Sequence, residues 1–271
     1  MLLREVAYAR PTAVEEAVEL LADDPGARAL AGGQTLINVM KARIASPEVL
    51  VDLNGLEELT TIELGAHGAL ELGAMVTYSR LISSAECRAR PILGEVAAQI
   101  ADVQVRNRGT VGGNVCANDP TNHLPPLLVV LGATMTITGR EGERTVPAEE
   151  FFLGVYVTAA GPGELLTKVT IPPAEGAGDG FASVTVGRDG TGIVNVAASV
   201  NGGARLAVGC VAAVPVLVQT EGADEDAVRE AVRAAALDPP SDVHASAEYR
   251  RHLAEVLAAR AVRQASERRR G

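Results

Sequence analysis

Two stretches that each contain a pair of adjacent glycines, residues 30–37 and 108–114, constrain the fold of this chain most strongly. Adjacent glycines can adopt backbone angles that side chains forbid, and they leave main-chain amides uncovered. Such amides form a nest for an anionic oxygen, to which Thr110 and Asn114 add a hydroxyl and an amide. The first stretch stands between a predicted short strand and a predicted helix N-terminus, which also favours negative charge. The two stretches together predict a ligand with two phosphates or an equally extended polar spine.

An ordinary tight turn is the alternative interpretation of each stretch, because glycine marks turns throughout proteins. Neither stretch has the Walker or the G-x-G-x-x-G spacing, so neither of the common nucleotide-binding folds is indicated. The residues alone leave both interpretations open.

The size and charge of the chain exclude several classes of protein. Its 271 residues suffice for one large domain or two to three small ones, and an apolar content of 47% provides an ample core. A net charge of -10 argues against a nucleic-acid-binding surface. The arginines at 268–270 are expected to form a solvated tail.

The N-terminus and the spacing of the cysteines bear on the cellular location that we expect. Residues 1–5 have neither the apolar run nor the cleavage site of a signal peptide, and no apolar stretch free of charge and glycine could span a membrane. Cys87, Cys116 and Cys210 lie far apart, which argues against a disulfide framework or an iron–sulfur site. We therefore expect a cytoplasmic protein with reduced thiols, in which Cys116 fills a small buried apolar position.

The first 56 residues predict a β-α-β-α-β unit with parallel strands. Thr12 and Glu15 have the spacing of a capping box at the start of its first helix. Further along, hairpins are predicted at 60–72, with His67 in a solvent-facing turn, and at 135–146.

The second half of the chain predicts an α+β unit. Residues 174–180 are rich in glycine and charge and are the best candidate for a linker. Three β-type runs follow, at 181–186, 192–200 and 205–211, and residues 214–219 could extend their sheet. Two helices, at 226–237 and 246–264, are predicted to close the chain.

Polar residues after the second glycine stretch are candidates for binding the hydroxyl groups of a ligand. Asp119 and His123 have suitable side chains, although Asp119 followed by Pro120 is also typical of a turn. No Ser-His-Asp order, H-E-x-x-H motif or paired carboxylate indicates a hydrolase. Inference from the residues alone therefore ends at an extended anionic cofactor held by two glycine stretches.

Beyond this, the sequence resembles the FAD-binding medium subunit of the molybdenum hydroxylases, a family that includes aerobic carbon monoxide dehydrogenase and xanthine dehydrogenase. The resemblance runs in order over essentially the whole chain, including its C-terminal part. The matching segments are residues 31–37, 110–114, 118–120, 124–126, 148–154, 163–167 and 246–250.

The resemblance implies an α+β fold with three parts. Two α/β subdomains of the vanillyl-alcohol-oxidase (PCMH) type, at 1–57 and 58–173, would clasp FAD. A C-terminal α+β flavoprotein domain with a three-stranded sheet and helices, similar to that of carbon monoxide dehydrogenase, would occupy 178–271.

The resemblance also implies which residues hold the cofactor. Both glycine stretches would bind the pyrophosphate, Ile100 would lie near the cofactor, and Leu166 would offer backbone contacts close to the isoalloxazine ring. No side chain on this subunit would act as a catalytic acid or nucleophile, and none would bind a metal. The expected cofactor-binding residues are Leu30, Ala31, Gly32, Gly33, Gln34, Thr35, Leu36, Ile37, Ile100, Thr110, Val111, Gly112, Gly113, Asn114, Asp119, His123, Leu166 and Ile193.

The sequence departs from the family pattern at three places. His123 stands where the family usually has an aspartate that bonds the ribityl chain, so the negative charge is lost. Thr185 precedes Val186, Gly187 and Arg188 where a lysine is often found. Gly192 replaces an acid that often lies beside the flavin, although the following Ile193 could still pack on the ring. We expect these changes to affect redox potential and acceptor choice more than FAD binding.

The implied function is electron transfer within a heteromeric enzyme. A large subunit with a molybdopterin-type cofactor would hydroxylate the substrate, and a small subunit with two iron–sulfur (2Fe-2S) clusters would pass electrons to this FAD, in a dimer of heterotrimers. The acceptor, whether NAD, oxygen or a quinone, and the substrate stay open. Two alternatives are a self-contained flavin oxidase or reductase of the same fold and a cofactor-free scaffold subunit.

Overall fold

The computed structural model describes residues 3–187 and 190–270. Its strands are β1 (Ala7–Ala9), β2 (Ala27–Leu30), β3 (Val49–Asp52), β4 (Ile62–Leu64), β5 (Leu70–Gly73), β6 (Thr134–Gly139), β7 (Gly142–Pro147), β8 (Phe152–Gly154), β9 (Val157–Thr158), β10 (Leu165–Ile171), β11 (Gly178–Thr185), β12 (Gly192–Asn201), β13 (Gly203–Gly209) and β14 (Val216–Thr220). Its helices are α1 (Val14–Asp23), α2 (Leu36–Lys41), α3 (Tyr78–Ser83), α4 (Ile92–Ala97), α5 (Val103–Arg106), α6 (Val111–Ala117), α7 (Leu124–Val130), α8 (Ala148–Phe151), α9 (Glu225–Ala234) and α10 (Ala247–Arg270).

The first sheet is parallel, with the strand order β1-β3-β2, and confirms the β-α-β-α-β prediction. Helix α1 buries its apolar stripe of Val14, Ala17, Val18 and Leu21. This burial follows from the 3.6-residue period of the apolar positions. The sheet directs the carboxyl ends of β2 and β3 toward the first glycine stretch, which follows β2 directly.

The predicted capping box at α1 is wrong. Ala13 occupies the cap position and makes no side-chain hydrogen bond to the helix. Thr12 instead donates both its backbone N–H and its hydroxyl to Glu16 Oε2, at 2.7 and 3.0 Å. The partner is one residue beyond the predicted Glu15, because the helix begins one residue later than expected.

The second sheet is antiparallel, with the strand order β4-β5-β10-β6-β7. Both predicted hairpins are present within it, and His67 is exposed in the turn between β4 and β5. Helices α4, α6 and α7 contribute apolar side chains to the core against this sheet. Helix α7 begins with Pro125 and Pro126 in its first turn, where the missing N–H groups would have had no helical acceptor.

The third sheet is an antiparallel meander of β11 to β14, so residues 216–220 supply the fourth strand that the sequence left open. The three-stranded sheet that the resemblance implied for this domain is therefore wrong in its number of strands. Strand β12 is buried on both faces, which explains its nearly continuous apolar sequence. Helices α9 and α10 cover one face, and α7 contacts β12 and β13.

The prediction of a linker at residues 174–180 is wrong for its second half. Residues 178–180 form the buried start of β11. A methyl group added at Gly178 or Gly180 would lie 2.0 Å from the carbonyl oxygen of Ala265 or Ala261, respectively. The glycines therefore let the backbone of α10 approach the strand closely, rather than providing flexibility.

The arginines at 268–270 are exposed, as expected, but they belong to a helix. Residues 268–270 continue α10. Arg268 donates one hydrogen bond to the backbone oxygen of Asp179, at 3.0 Å, and another to Glu95 Oε2, at 2.5 Å. These bonds connect the last turn of α10 with β11 and α4. Within residues 3–187 and 190–270, no helix combines the length and the apolar character that crossing a bilayer would require.

Candidate cofactor site

The two glycine stretches lie against each other in the folded chain. A methyl group added at Gly32 would lie 2.0 Å from the carbonyl oxygen of Arg108, and one added at Gly113 would lie 3.5 Å from Cβ of Ala31. Real Cβ atoms do not approach backbone oxygen as closely as 2.0 Å, so only glycine permits the contact at residue 32. Residues far apart in sequence are thus joined into one surface by the absence of a side chain.

The first stretch presents a run of free backbone amides. Gly33 adopts a left-handed conformation with φ +71° before α2 begins at Leu36. Among the residues that the structure describes, none accepts a hydrogen bond from the N–H groups of residues 33–36. A series of unpaired amides that ends at a helix start is suited to binding an anion.

The conformation of this first stretch is held by side-chain amides. Gln34 Nε2 donates to the oxygen of Gly32 at 3.0 Å, and Asn54 Nδ2 donates to the oxygen of Ala31 at 2.9 Å. Asn54 is itself held by Asp52 Oδ1, at 2.7 Å. These bonds engage the carbonyl groups of the stretch and leave its N–H groups for a ligand.

The second stretch differs from the predicted nest, because its amides are already engaged. It forms the first turn of α6, with Thr110 as the cap, and Thr110 Oγ1 accepts from the N–H of Gly113 at 3.0 Å. The N–H groups of Val111, Gly112 and Asn114 donate to the oxygens of Val76, Ala74 and Thr110, at 2.9, 2.8 and 3.0 Å. The hypothesis of two amide nests is therefore wrong for residues 111–114.

Glycine at residue 112 serves close packing. Neither Gly112 nor Gly113 has a positive φ, so neither supplies the special backbone angles expected from the sequence. A methyl group at Gly112 would lie 2.6 Å from Cβ and 2.7 Å from the oxygen of Ala74. One polar atom of the stretch does lack a partner: Oδ1 of Asn114 is buried and has no donor among the described residues. Such an atom is costly unless a ligand or water satisfies it, which fits a bound polar cofactor.

Residues 118–123 form a tight loop between α6 and α7. Asp119 Oδ1 accepts from the N–H and the hydroxyl of Thr121, at 2.9 and 2.7 Å, so the turn interpretation of Asp119 is confirmed. Its second oxygen, Oδ2, accepts from the hydroxyl of Tyr156 at 3.3 Å. Asn118 is in the left-handed region and donates to the oxygens of Gly154 and Val157, which joins the loop to the β8–β9 segment.

His123 ends this loop and is buried, with 5% of its surface exposed. Its ring centroid lies 5.3 Å from that of Phe181, and its Nδ1 lies 3.3 Å from Nδ2 of Asn195. Burial lowers the pKa of His123 to about 4, although a contact with the Thr121 backbone opposes this effect. His123 is therefore neutral at physiological pH and can donate or accept a hydrogen bond without a charge.

The depressed pKa of His123 predicts a pH dependence of stability. The unfolded chain binds a proton at this residue below a pKa of about 6.5, whereas the folded chain does so only near pH 4, so folding is opposed by protonation. The contribution is complete above about pH 6.5 and is lost as the pH falls toward about 4, by up to about 3 kcal/mol. Denaturant unfolding of wild type and His123→Gln across this range measures it. In the variant, the free energy of unfolding should depend less on pH over this range. An unchanged pH dependence would contradict the depressed pKa of His123.

The remaining expected contacts are more dispersed. Ile100 is half-buried against the main apolar core. Leu166 is buried in β10, next to an irregularity in its pairing with β6 between residues 166 and 168. Ile193 packs in the apolar core that β12 shares with α10.

The departures from the family pattern have structural counterparts. A methyl group at Gly192 would lie 2.8 Å from the oxygen of Thr121, so a larger side chain does not fit there. The hydroxyl of Thr185 donates to the oxygen of Gly187 at 2.9 Å. Arg188 lies outside the described residues. Cys116 is exposed by its surface area, which contradicts the expected buried position, although desolvation still raises the pKa of its thiol to about 12 and so agrees with an unreactive role. Cys87 and Cys210 are buried.

Two residues of the site were missed from the sequence. Asn54 follows β3, at the carboxyl end of a parallel strand, where ligand-supporting residues are common. Asn195 is a lone polar residue inside the apolar run of β12 and is completely buried. Their positions in the sequence, after a strand and inside an apolar run, mark them as candidates, although only the fold shows which groups they contact.

Within residues 3–187 and 190–270, no three His, Cys, Asp or Glu side chains are grouped so that they could hold a metal ion.

Comparison with known proteins identifies the family. Residues 4–174 match the family of the FAD binding domain in molybdopterin dehydrogenase, and residues 182–265 match the CO dehydrogenase flavoprotein C-terminal domain. The chain is 38% identical to the carbon monoxide dehydrogenase medium chain of Afipia carboxidovorans, with 96% of each chain covered. It is 34% identical to the nicotine 6-hydroxylase medium subunit of Paenarthrobacter nicotinovorans, covering 99% of this chain and 100% of that subunit.

Solved structures give the same result. A chain of reconstituted CO dehydrogenase from Oligotropha carboxidovorans superposes with a TM-score of 0.94 at 37% identity, covering 99% of this chain and 100% of that one. A chain of quinoline 2-oxidoreductase from Pseudomonas putida 86 gives a TM-score of 0.91 at 35% identity, covering 98% and 99%. The expected fold class, the oxidoreductase assignment and FAD as the cofactor of this chain are thereby confirmed. The chain belongs to the family of FAD-binding medium subunits of the molybdenum hydroxylases of the carbon monoxide and xanthine dehydrogenase type.

Proposed function

We propose that this chain relays electrons from iron–sulfur (2Fe-2S) clusters on a small partner subunit, through its FAD, to an external acceptor. A large partner subunit with a molybdopterin-type molybdenum cofactor carries out the hydroxylation, in a cytoplasmic dimer of heterotrimers. The names of the relatives, which designate a medium chain or medium subunit, support an assembly with further subunits. When bound, FAD supplies a ring that accepts and releases reducing equivalents.

The observation that carries the cofactor assignment is the run of free amides at residues 33–36. These amides bind the diphosphate, and Gly32 permits the close approach of residues 108–110 that completes the surface. Asn114 Oδ1 and the neutral His123 supply polar contacts further along the cofactor. Amides neutralise the diphosphate without a lysine, so no compact side-chain charge has to be desolvated.

The other expected contacts fit this arrangement in part. The residues that flank the free amides, from Leu30 to Ile37, border the diphosphate. Ile100 lies near the cofactor, and the backbone near Leu166 borders the ring. Asp119 acts mainly through its turn, since both of its carboxylate oxygens accept bonds within the protein. We assign the three parts of the chain to residues 1–57, 58–173 and 178–271, with the cofactor between the first two.

Isolation of the complex through an affinity tag on this chain tests the relay. We expect two partner chains to co-purify, and metal analysis to find molybdenum and iron in the complex but neither in this chain purified alone. The chain alone should keep the visible absorption of bound flavin and should not oxidise an organic donor. Turnover of a donor by the isolated chain would favour a self-contained flavin enzyme, and a colourless folded chain that takes up no FAD would favour a scaffold.

A further inference from the structure

The C-terminal sheet holds the loop that carries Asp119 and His123 by its backbone. The oxygen of Pro120 accepts from the N–H of Cys210 at 3.2 Å. The oxygen of Asn122 accepts from Nδ2 of Asn195, also at 3.2 Å. Between them, the oxygen of Thr121 lies against Gly192. Three successive carbonyl groups therefore face β12 and the end of β13, so this sheet determines where the loop lies.

Asn195 has a fixed orientation within this contact. The side chain is completely buried, and its amide group faces the backbone oxygen of Asn122, which can only accept a hydrogen bond. The NH2 side must therefore point toward the loop. Its oxygen, Oδ1, is left buried without a donor among the described residues. A buried unsatisfied oxygen is unusual, and the contacts made by the NH2 side oppose a rotation of the amide that would satisfy it.

The same NH2 group lies 3.3 Å from Nδ1 of His123 and 3.4 Å from Sγ of Cys210. An amide NH2 cannot accept a hydrogen bond, so this contact is a hydrogen bond only when Nδ1 presents a lone pair to it. A neutral imidazole carries one proton, which then resides on Nε2.

We propose that Asn195 is a positioning residue that holds His123 as the Nε2–H tautomer, so that His123 donates an uncharged hydrogen bond to the bound FAD. This inference rests on the proposed contact between His123 and the ribityl chain. An ionised aspartate at residue 123 could only accept, so the histidine reverses the direction of the bond at this position.

The surroundings keep this donor uncharged. Burial lowers the pKa of His123 to about 4, and no charged group contributes to the shift. Burial also raises the pKa of the Cys210 thiol to about 12, so the thiol facing the same cluster from the end of β13 is neutral. Asp119 on the loop and Arg250 on α10 are the charged groups whose fields reach Cys210, and they act in opposite directions.

Ring nitrogen chemical shifts of the full chain, labelled with ¹⁵N-histidine, test the tautomer directly. His123→Gln identifies the signal among the four histidines. We expect a bare Nδ1 and a protonated Nε2, both without and with FAD. A protonated Nδ1 in wild type would overturn the inference and would leave FAD binding by the protein unaffected.

Asn195→Asp tests the consequence for the cofactor, because a carboxylate accepts from Nδ1–H and so reverses the tautomer. We expect the FAD dissociation constant of this variant to rise roughly tenfold near pH 8 and to recover as the pH falls and both ring nitrogens become protonated. Wild type should show the same affinity throughout this range, and so should Asn201→Ala, which removes an exposed asparagine at the far end of the same strand. A merely structural role would lower affinity at every pH.

The outcomes separate this inference from the proposed function. Wild-type FAD binding together with a pH-independent affinity in Asn195→Asp would overturn the role of Asn195 alone. Failure of the wild-type chain to bind FAD would overturn the proposed function itself. If Asn195→Asp does not fold, the wild-type tautomer still decides the question.

Discussion

Replacement of Gly32 by alanine is expected to raise the dissociation constant for FAD by about two orders of magnitude or more, which corresponds to roughly 3 kcal/mol. The added methyl group would lie 2.0 Å from the oxygen and 2.7 Å from the carbonyl carbon of Arg108. Both are backbone atoms of a segment with its own hydrogen bonds, so they cannot move aside as a side chain would. The substitution should separate the two stretches and disturb the free amides that follow residue 32.

The effect of Gly32→Ala should be steric, since residue 32 does not have a positive φ and alanine can adopt its backbone angles. Gly222→Ala is the matched control, because a methyl group there meets nothing within 4 Å. Gly113→Ala should be milder than Gly32→Ala, because its closest contact is the side-chain oxygen of Thr110, at 2.8 Å. Titration of each folded, flavin-free variant with FAD gives the comparison. Wild-type affinity in Gly32→Ala would show that the contact between the stretches is unnecessary.

Replacement of Asp179 by alanine is expected to destabilise the protein by about 3–5 kcal/mol. Asp179 on β11 and Arg90 before α4 form a two-bond pair, with Nε to Oδ2 at 2.7 Å and Nη2 to Oδ1 at 3.0 Å. Both side chains are buried, with 5% of Arg90 and 8% of Asp179 exposed. The substitution leaves a buried guanidinium whose remaining described bond is to the oxygen of Pro172, at 2.9 Å.

Thermal unfolding measures this loss, which should lower the midpoint by about 10 °C for a chain of this size. The double variant Arg90→Met with Asp179→Leu should recover most of the stability, because it removes both charges together. Glu225→Ala breaks the exposed pair between Arg263 and Glu225 and should cost less than about 1 kcal/mol. If Asp179→Ala melts at the wild-type temperature, the buried pair does not join β11 to the rest of the molecule.

The sequence predicted correctly the elements whose defining residues lie close together in the chain. The parallel first unit, both hairpins and the final helices follow from apolar period and turn residues, which act over a few positions. The pairing of the two glycine stretches was predicted as a shared ligand surface, and the fold does bring Gly32 to Arg108. The family and its cofactor followed from the resemblance of the whole chain.

The errors at residues 111–114 and 178–180 arose because the deciding partner is distant in sequence. Glycine at 178 and 180 suggested a linker, but those residues accommodate the backbone of α10. The amides of residues 111–114 seemed free because their acceptors at Ala74 and Val76 lie in another segment. The buried position of Asn195 beside the loop of residues 118–123 likewise depends on strand pairing, which no local pattern specifies.

Hydrogen exchange of the full chain, measured residue by residue with and without FAD, tests the central claim most directly. The amides of residues 33–36, which have no acceptor among the described residues, should exchange rapidly without the cofactor and slowly with it. The amides of residues 111–114 should be slow in both states, because they donate within the protein. If FAD slows the exchange of other amides but not those of residues 33–36, the assignment of the diphosphate to the first glycine stretch is contradicted.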